Sequence, residues 1–484
     1  MRELKSLTNL RPHCVDLDGT LIKTNTLLEA AMALIRTTPW AAIFLPFWLM
    51  RGQAYLWQRL SERTFINPAL LPYREEVLEY LEREKRTGRE LVLISGSNQA
   101  MVEKVAHHLG LFHRFFGSTE TVHLVGPAKL AVLLELYGRK AFDYLGDSNQ
   151  DFSIWRESQR AIIVSRNRSL IKRVRQNVED LEQIQPSGRP WLKAVIKAMR
   201  PYQWSKNLLL LAPIFLAHKI TNLPLMLTAV QAIIAFSLCA SAVYIMNDLL
   251  DLESDRLHPR KRKRPFAAGD LSVLQGGLLS MVLLISAFAI ALALSPEFAA
   301  VLLAYFVMTV GYSSYLKQKL LIDVFVLASL YTIRVWAGSV CTGIVISNWA
   351  LAFFMSLSLS LALAKRYSEL AASIATAAGE QQVTLRRRNY QTSDIPFLLC
   401  LGCVTAMTSV LVIALYISSQ DVIHYYSSPA SLWFICPAFA YWVSRLWLIT
   451  TRGKLNEDPV LFAIKDKVSY LLGTIIVATV VIAT

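Results

Sequence analysis

Hydrophobic and polar positions divide the chain in two. Up to about residue 200 the apolar runs are short and charges interrupt them throughout; beyond it they lengthen to membrane-spanning size. In the first part, His13–Asp18, Leu91–Ser95 and Phe142–Gly146 read as short strands separated by stretches of helical period. Strands alternating with helices predict a parallel sheet whose site lies at the C-terminal strand ends. The second part holds nine candidate spans, near 207–222, 226–246, 271–295, 297–315, 321–345, 348–365, 396–418, 430–450 and 467–484. Most approach the ~20 residues needed to cross about 30 Å of hydrocarbon. The first of them is interrupted by Pro213 and His218.

Charge orients these spans. With the first part in the cytoplasm, the connections after the second, fourth, sixth and eighth spans are cytoplasmic. Those connections carry Arg256, Arg260–Arg264, Lys317, Lys319, Lys365, Arg366, Arg386–Arg388, Arg452 and Lys454. The opposite connections carry little beyond Lys219, and the stretch 418–426 has no Lys or Arg. The positive-inside rule therefore predicts nine spans with the C-terminus outside. Met1–Leu7 has no apolar core behind its charges, so no secretory signal is expected and the chain should start inside the cell. The formal charge of +15 sits in the soluble part and at span ends, which favours anionic lipid heads and phosphorylated substrates and speaks against nucleic acid. The six cysteines form no disulfide framework, and Cys400 and Cys403 read as small packing residues within a span.

Candidate chemistry in the soluble part follows the strands. Asp16-Leu-Asp18-Gly-Thr20 closes the first, Ser95 the second, Lys129 lies on a helix, and Gly146-Asp147-Ser-Asn-Gln-Asp151 closes the third. Apart from any chemistry, Asp16 and Asp18 could form a turn and helix cap. Taken in order, the four elements resemble the haloacid dehalogenase-like phosphohydrolases, over roughly the first 165 residues. The resemblance implies an α/β Rossmann-like fold with a helical cap at about 21–87. It also implies Asp16 as the nucleophile that forms an aspartyl-phosphate and Asp18 as the acid that protonates the leaving group and then activates water. Ser95 and Lys129 would hold the phosphoryl oxygens, and Mg²⁺ would be held by Asp16 and Asp147, with Asp18 and Asp151 as further candidates. Asp151 is either a ligand or an orienting group. Within the cap, Trp40–Met50 is apolar, aromatic, broken by Pro46 and too short to span. It is either cap core or a surface resting on the membrane that admits a lipid-linked substrate. The pattern gives way after Val164 to a basic amphipathic end, and Gln185–Pro190 reads as a linker, so the first domain is taken as 1–185, the linker as 186–200 and the membrane domain as 201–484.

The strongest chemical signal in the membrane part is Asn247–Pro259 with the basic run Arg260–Arg264 behind it. If the preceding span continues as a helix, Asp248, Asp251 and Asp255 fall on one face at the membrane surface. Three carboxylates so spaced suit Mg²⁺, which is bound through a few carboxylates together with substrate phosphates. Ahead of it, Arg200–Asn207 places Trp204 and Lys206 at the water interface. Arg334 lies inside a span, where a lone charge is costly, so it is expected to be functional or ion-paired. Asp323 at a span entrance either joins a metal site or pairs with an Arg. His258 beside Pro259 reads as structural or as a phosphate contact.

Residues 195–484 resemble the UbiA-type prenyltransferase superfamily, all-α membrane bundles of about nine transmembrane helices with two Asp-rich motifs. The first motif is Asn247-Asp248-x-x-Asp251-x-x-x-Asp255, and the second lies around Tyr312–Lys317 and Ile322-Asp323. Leu327 stands where the common form has a further Asp, a departure that speaks against an ordinary aromatic prenyltransferase. Five segments resemble the decaprenyl-phosphate phosphoribosyltransferase branch: Arg200–Asn207, Asp255–Pro265, Ile322–Val324, Ile333–Gly338 and Lys365–Leu370. Glu457-Asp458-Pro459 and Asp466 are also similar to that branch.

The branch implies transfer of a 5-phosphoribosyl group from phosphoribosyl pyrophosphate to a polyprenyl phosphate, with Mg²⁺ on Asp248, Asp251, Asp255 and Asp323. Lys206, Asn207, Asn247, Arg256, Lys261, Arg262, Arg264, Lys317, Arg334, Lys365 and Arg366 would contact the phosphates. The expectation is a bifunctional enzyme of the bacterial inner membrane with both sites facing the cytoplasm. Its phosphatase half would remove the ribose 5-phosphate. Prenyl transfer to an aromatic or haem-like acceptor is one alternative, and a transporter with a regulatory phosphatase-like domain is another. The sequence leaves room for a homo-oligomer.

Overall fold

The computed structural model describes residues 10–119, 122–376, 389–419, 422, 426–455 and 459–483. Met1–Leu7, Arg386–Arg388, Glu457, Asp458 and part of the 418–426 stretch lie outside the described residues. The chain groups into two compact units, Met1–Arg200 with Tyr244–Met281, and Pro201–Val243 with Val282–Thr484. The Asp-rich stretch and its basic loop thus cluster with the N-terminal domain, which the sequence boundary at 200 did not anticipate.

The first unit is built on six parallel strands, β1 His13–Val15, β2 Leu91–Asn98, β3 Arg114–Ser118, β4 Asp143–Gly146, β5 Arg160–Val164 and β6 Asp180–Ile184, in the order β3-β2-β1-β4-β5-β6. Buried on both faces, the central strands read as continuous apolar runs. Successive residues face opposite sides: Leu91 and Leu93 pack with Val77, Leu81 and Val102, whereas Val92 and Ile94 pack with Leu133, Trp155 and Val174. The chain winds outward from β1 to β3, then returns to place β4 on the other side of β1. The crevice beyond the C-terminal ends of β1 and β4 is therefore the switch point where ligands bind in such sheets. The polar sequence Asp180-Leu-Glu-Gln-Ile184 hid β6, which lies at the sheet edge and needs an apolar partner on few positions.

The cap is smaller than the sequence indicated. Helix Glu75–Arg86 packs Val77, Tyr80 and Leu81 on the sheet, so it belongs to the main core. A separate small core joins Ala30, Leu34, Ala41, Trp48, Leu56, Trp57 and Leu60, drawn from Thr26–Thr37, Pro39–Met50 and Gln53–Ser61. The stretch read as a linker contains helix Trp191–Met199, and Arg189 bonds Asp270 at 2.7 Å.

Among the described residues, seven helices are long and apolar enough to cross a membrane: Leu223–Leu250, Val273–Leu294, Pro296–Ser314, Ile322–Thr342, Asn348–Ile374, Thr392–Ile417 and Pro429–Thr451. Of the other two expected spans, 207–222 is a 3₁₀ helix, Pro201–Leu211, leading into the short helix Ala212–Leu216, and the last is the 17-residue helix Lys467–Ala483. Within the second unit, Gly338 lets helix Ile322–Thr342 meet the backbone at Leu210, an approach that any Cβ would block.

Candidate active sites

Asp16 follows β1 directly, and its backbone N–H bonds the Leu145 carbonyl of β4 at 3.0 Å. That pairing brings the ends of β1 and β4 together, and with them Asp16, Asp147 and Asp151. Their carboxylate oxygens lie within 4.8 Å of one another, and no other such group of three or more His, Cys, Asp or Glu ligands occurs among the described residues. Two glycines make the room. Gly19, at φ +81°, faces the Asp147 carboxylate where a Cβ would collide, and a Cβ on Gly146 would come within 2.8 Å of Asp151.

Lys129 is buried against this cluster, 3.0 Å from Asp16 Oδ1, and it donates to the Tyr144 hydroxyl at 3.1 Å. Tyr144 donates in turn to Asp151 Oδ1 at 2.8 Å, while Ser148 N–H and Oγ both bond Asp151 Oδ2 at 3.1 Å. Asp151 is thus both a member of the cluster and a fixed orienting group. Burial holds the Asp16 carboxyl up to about 7 against the pull of Lys129, and burial with Asp16 and Asp151 nearby holds Asp147 up to about 8. Three acids crowded in a dry crevice with one lysine suit a divalent cation by charge and by hard oxygen donors.

Asp18 stands apart from the cluster, contrary to its reading as a metal ligand. The reversal at Gly19 turns it toward the cap helix, where Oδ1 accepts from Thr26 N–H at 2.8 Å and Oδ2 accepts from Ser97 Oγ at 2.5 Å. Burial raises its carboxyl, while these hydrogen bonds work the other way. Ser95 is buried and its Oγ accepts from Ser97 N–H at 3.1 Å. Thr26, Ser97 and Tyr144 were missed from sequence. Ser97 had a legible signal, two residues beyond Ser95 on the same strand face.

The raised carboxyls give a signed pH prediction. A carboxylate with a raised folded-state pKa stabilises the fold at low pH and loses that contribution as pH climbs through 7 and 8. Mg²⁺ competes with those protons and restores the loss. The rise in Tm on adding Mg²⁺ should be small at about pH 5 and several degrees larger at about pH 8. Comparing the two melts at each pH cancels other titrations, including that of His13, which burial pushes down to about 3.

The second acidic site lies in the same unit. Helix Leu223–Leu250 ends one residue before Asp251, whose φ of −100° and ψ of 14° break it before the short helix Leu252–Leu257. Asp248 and Asp255 are buried and meet at one guanidinium nitrogen: Arg264 Nη1 lies 3.1 Å from Asp248 Oδ1 and 2.6 Å from Asp255 Oδ2. Arg200 bonds the same Asp248 oxygen. Asp251 is half-buried at this junction, and its carboxylate forms no metal-sized group of three with Asp248 and Asp255. The positive nitrogen between two buried carboxylates marks a place that a cation fits. Lys261 and Arg262 are exposed on the one-turn helix behind it, and Asn247 is half-buried beside Asp248.

Arg256 does not face this site. It forms a bidentate pair with Glu29 of the cap helix at 2.8 and 2.6 Å, with both side chains buried, and it donates to the Ala267 carbonyl. Its reading as a phosphate contact is therefore corrected to a clamp between the Asp-rich stretch and the cap. Removing one partner strands a buried charge, so Glu29→Ala should cost about 3–5 kcal/mol in unfolding free energy, with Glu29→Met/Arg256→Met recovering much of it.

In the second unit, Arg334 donates Nε to Asn207 Oδ1 at 2.8 Å and Nη2 to the Tyr305 hydroxyl at 3.0 Å, and Asn207 also bonds Ser237. Arg334 is thus held by neutral partners and two aromatic rings, Tyr305 and Tyr331. Lys206 lies over the Tyr331 ring at 5.5 Å. Asp323 is fully buried, with Oδ2 on Arg366 and Oδ1 accepting from the Tyr390 hydroxyl at 2.6 Å. Arg366 spends its other nitrogens on Glu369 and Tyr312. Asp323 thus shows the second of its two sequence readings, a pair with Arg366, the arrangement that spares both charges in an apolar bundle. Lys317 is half-buried in the one-turn helix Leu316–Gln318, and Lys365 is half-buried within helix Asn348–Thr376.

The profile of the UbiA prenyltransferase family matches residues 208–465, more than half of the chain. The chain belongs to this family. The profile of haloacid dehalogenase-like hydrolases matches residues 14–156, so the UbiA domain follows a haloacid dehalogenase-like one. An uncharacterized protein y4nM from Sinorhizobium fredii is 34% identical over 98% of this chain and 91% of its own length. The decaprenyl-phosphate phosphoribosyltransferase of Mycobacterium tuberculosis is 33% identical over 59% of this chain and 92% of that protein. A UbiA homolog from Archaeoglobus fulgidus, solved bound to GPP and Mg²⁺, is 18% identical, covering 60% of this chain and 98% of that one at a TM-score of 0.45.

Proposed function

We propose that the UbiA domain transfers a 5-phosphoribosyl group from phosphoribosyl pyrophosphate to a polyprenyl phosphate, and that the haloacid dehalogenase-like domain then hydrolyses the 5-phosphate of the product. The likeness to the mycobacterial phosphoribosyltransferase along nearly that protein's whole length carries the first half of this reading. The Asp16, Asp147, Asp151 cluster with Lys129 supports the second.

In the transfer, an oxygen of the lipid phosphate bonds to C1 of the ribose as the bond from C1 to pyrophosphate breaks. The attacking oxygen is already an anion, so no strong base is required. Asp248 and Asp255 would hold Mg²⁺, which when bound neutralises charge on the departing pyrophosphate. Arg200, Arg264, Lys261 and Arg262 bring positive charge to the two anions. On this reading both sites face the cytoplasm at a bacterial inner membrane, in keeping with the positive charge on the connections that follow the even-numbered spans.

In the hydrolysis, an Asp16 oxygen attacks phosphorus while Asp18, steadied by Thr26 and Ser97, gives its proton to the departing ribose oxygen. Asp18 then takes a proton from water as the water oxygen attacks the aspartyl-phosphate. Orthophosphate leaves and Asp16 is restored. Lys129 and Ser95 offset charge on the phosphoryl oxygens, and Asp16, Asp147 and Asp151 would hold Mg²⁺.

The test supplies purified full-length protein with Mg²⁺, phosphoribosyl pyrophosphate and a polyprenyl phosphate. Pyrophosphate should appear only when the lipid is present. Failure of lipid to elicit it, together with prenyl transfer from a prenyl diphosphate to an aromatic acceptor, would overturn the reading.

A further inference from the structure

The cap carries an apolar surface that its own core does not use. In Pro39–Met50, Ala41 and Trp48 turn inward, while Trp40, Ile43, Phe47 and Met50 are 63%, 69%, 62% and 84% exposed. Phe44 and Leu49 extend the same surface. Six large apolar side chains on twelve residues are more than a water-facing surface ordinarily shows. The segment is too short to cross a bilayer.

The fold of the same unit says what covers it. The preceding cap helix Thr26–Thr37, 12 residues or about 18 Å long, is clamped by Glu29 to Arg256. Arg256 stands six residues beyond the end of helix Leu223–Leu250, one of the membrane-capable helices. Arg36, near the end of the cap helix, reaches Glu253 at 3.5 Å, closer still to that helix end. Pro39 begins two residues after the cap helix ends, so the exposed face starts three residues from the Arg36 contact with the segment that follows that membrane-capable helix. Cations border it: Arg63 lies over the Trp48 ring at 4.9 Å, and Arg51 and Arg59 flank Tyr55. Aromatic and aliphatic side chains bordered by arginines suit the boundary between acyl chains and anionic headgroups. Helix Trp191–Met199, just before the membrane domain, repeats the pattern with Trp191, Leu192 and Ile196 exposed beside Lys193 and Lys197.

We propose that Trp40, Ile43, Phe44, Phe47 and Met50 seat in the lipid leaflet adjoining the phosphohydrolase domain, making the cap a membrane-bound element. The cap helix begins at Thr26, which holds Asp18, so this seat sets the catalytic acid at a fixed distance from the lipid surface. In its bearing on substrate the inference deepens the proposed function, since it directs the phosphatase to a lipid-borne phosphomonoester. Its test needs no activity and so stands apart from that reading.

Phe47→Cys, Met50→Cys and the control Arg86→Cys are each labelled with a nitroxide on full-length protein whose native cysteines have been replaced. The protein is reconstituted in nanodiscs of phosphatidylethanolamine and phosphatidylglycerol, and the label's collisions with oxygen and with a water-soluble nickel chelate are compared. Positions 47 and 50 should show an oxygen-to-nickel ratio several-fold above that of position 86. Equal ratios at all three positions would overturn the proposal. So would a high ratio at 47 and 50 that is lost in nanodiscs holding a single copy of the protein, because a second copy would then cover the face.

Discussion

Asp248→Asn should lower the rate of lipid-dependent pyrophosphate release by about 10²–10³-fold, the scale of losing one preorganised charge at a developing anion. Asp255→Asn should do the same, because both carboxylates address one point through Arg264. Asp251→Asn should cost less, since Asp251 sits at the helix break and does not converge with them. Steady-state rates across Mg²⁺ concentration separate causes: a lost ligand raises the Mg²⁺ needed for half-maximal rate, whereas general misfolding lowers activity at every concentration. Equal, mild effects at 248, 251 and 255 would mean that the carboxylates merely solvate a helix end.

Asp16→Asn should abolish phosphate release, by on the order of 10⁴-fold or more, since a nucleophile has no substitute in a covalent route. Transfer should continue unimpaired in this variant, and its lipid product should retain the 5-phosphate that wild type removes. The cap and strand residues that hold Asp18 allow a finer comparison. Ser97→Ala and Thr26→Val each remove a hydrogen bond to that carboxylate and should slow hydrolysis less than Asp16→Asn, with a shifted pH profile. Identical lipid products from wild type and Asp16→Asn would separate the two activities.

Much of the soluble site was legible because parallel-sheet logic sends the segments after β1, β2 and β4 to one edge. Asp16, Ser95 and Asp147 needed only strand identity to be placed there. The direction of Asp18 was not legible, since it depends on the reversal at Gly19 and on a cap helix whose docking no local pattern encodes. In the Asp-rich stretch, helical spacing correctly paired Asp248 with Asp255. At Asp251 the backbone angles depart from regular helix, and the three carboxylates do not gather into one metal-sized group. The Glu29 to Arg256 clamp joins residues 227 apart in sequence and left no periodic trace. The Asp323 to Arg366 pair could have been inferred more firmly. Two charges read at the ends of apolar helices each face a large desolvation cost, and the least costly resolution is mutual pairing with hydroxyls on the remaining atoms. Strand β6 escaped because an edge strand carries few apolar positions.

The most direct measurement is a mass spectrum of the lipid that wild-type protein makes from phosphoribosyl pyrophosphate and polyprenyl phosphate with Mg²⁺, taken alongside the inorganic products. The account predicts a polyprenyl phosphate bearing ribose without its 5-phosphate, with pyrophosphate and orthophosphate released in equal amounts. A lipid recovered without any pentose, while Mg²⁺ and both substrates are present, would contradict it.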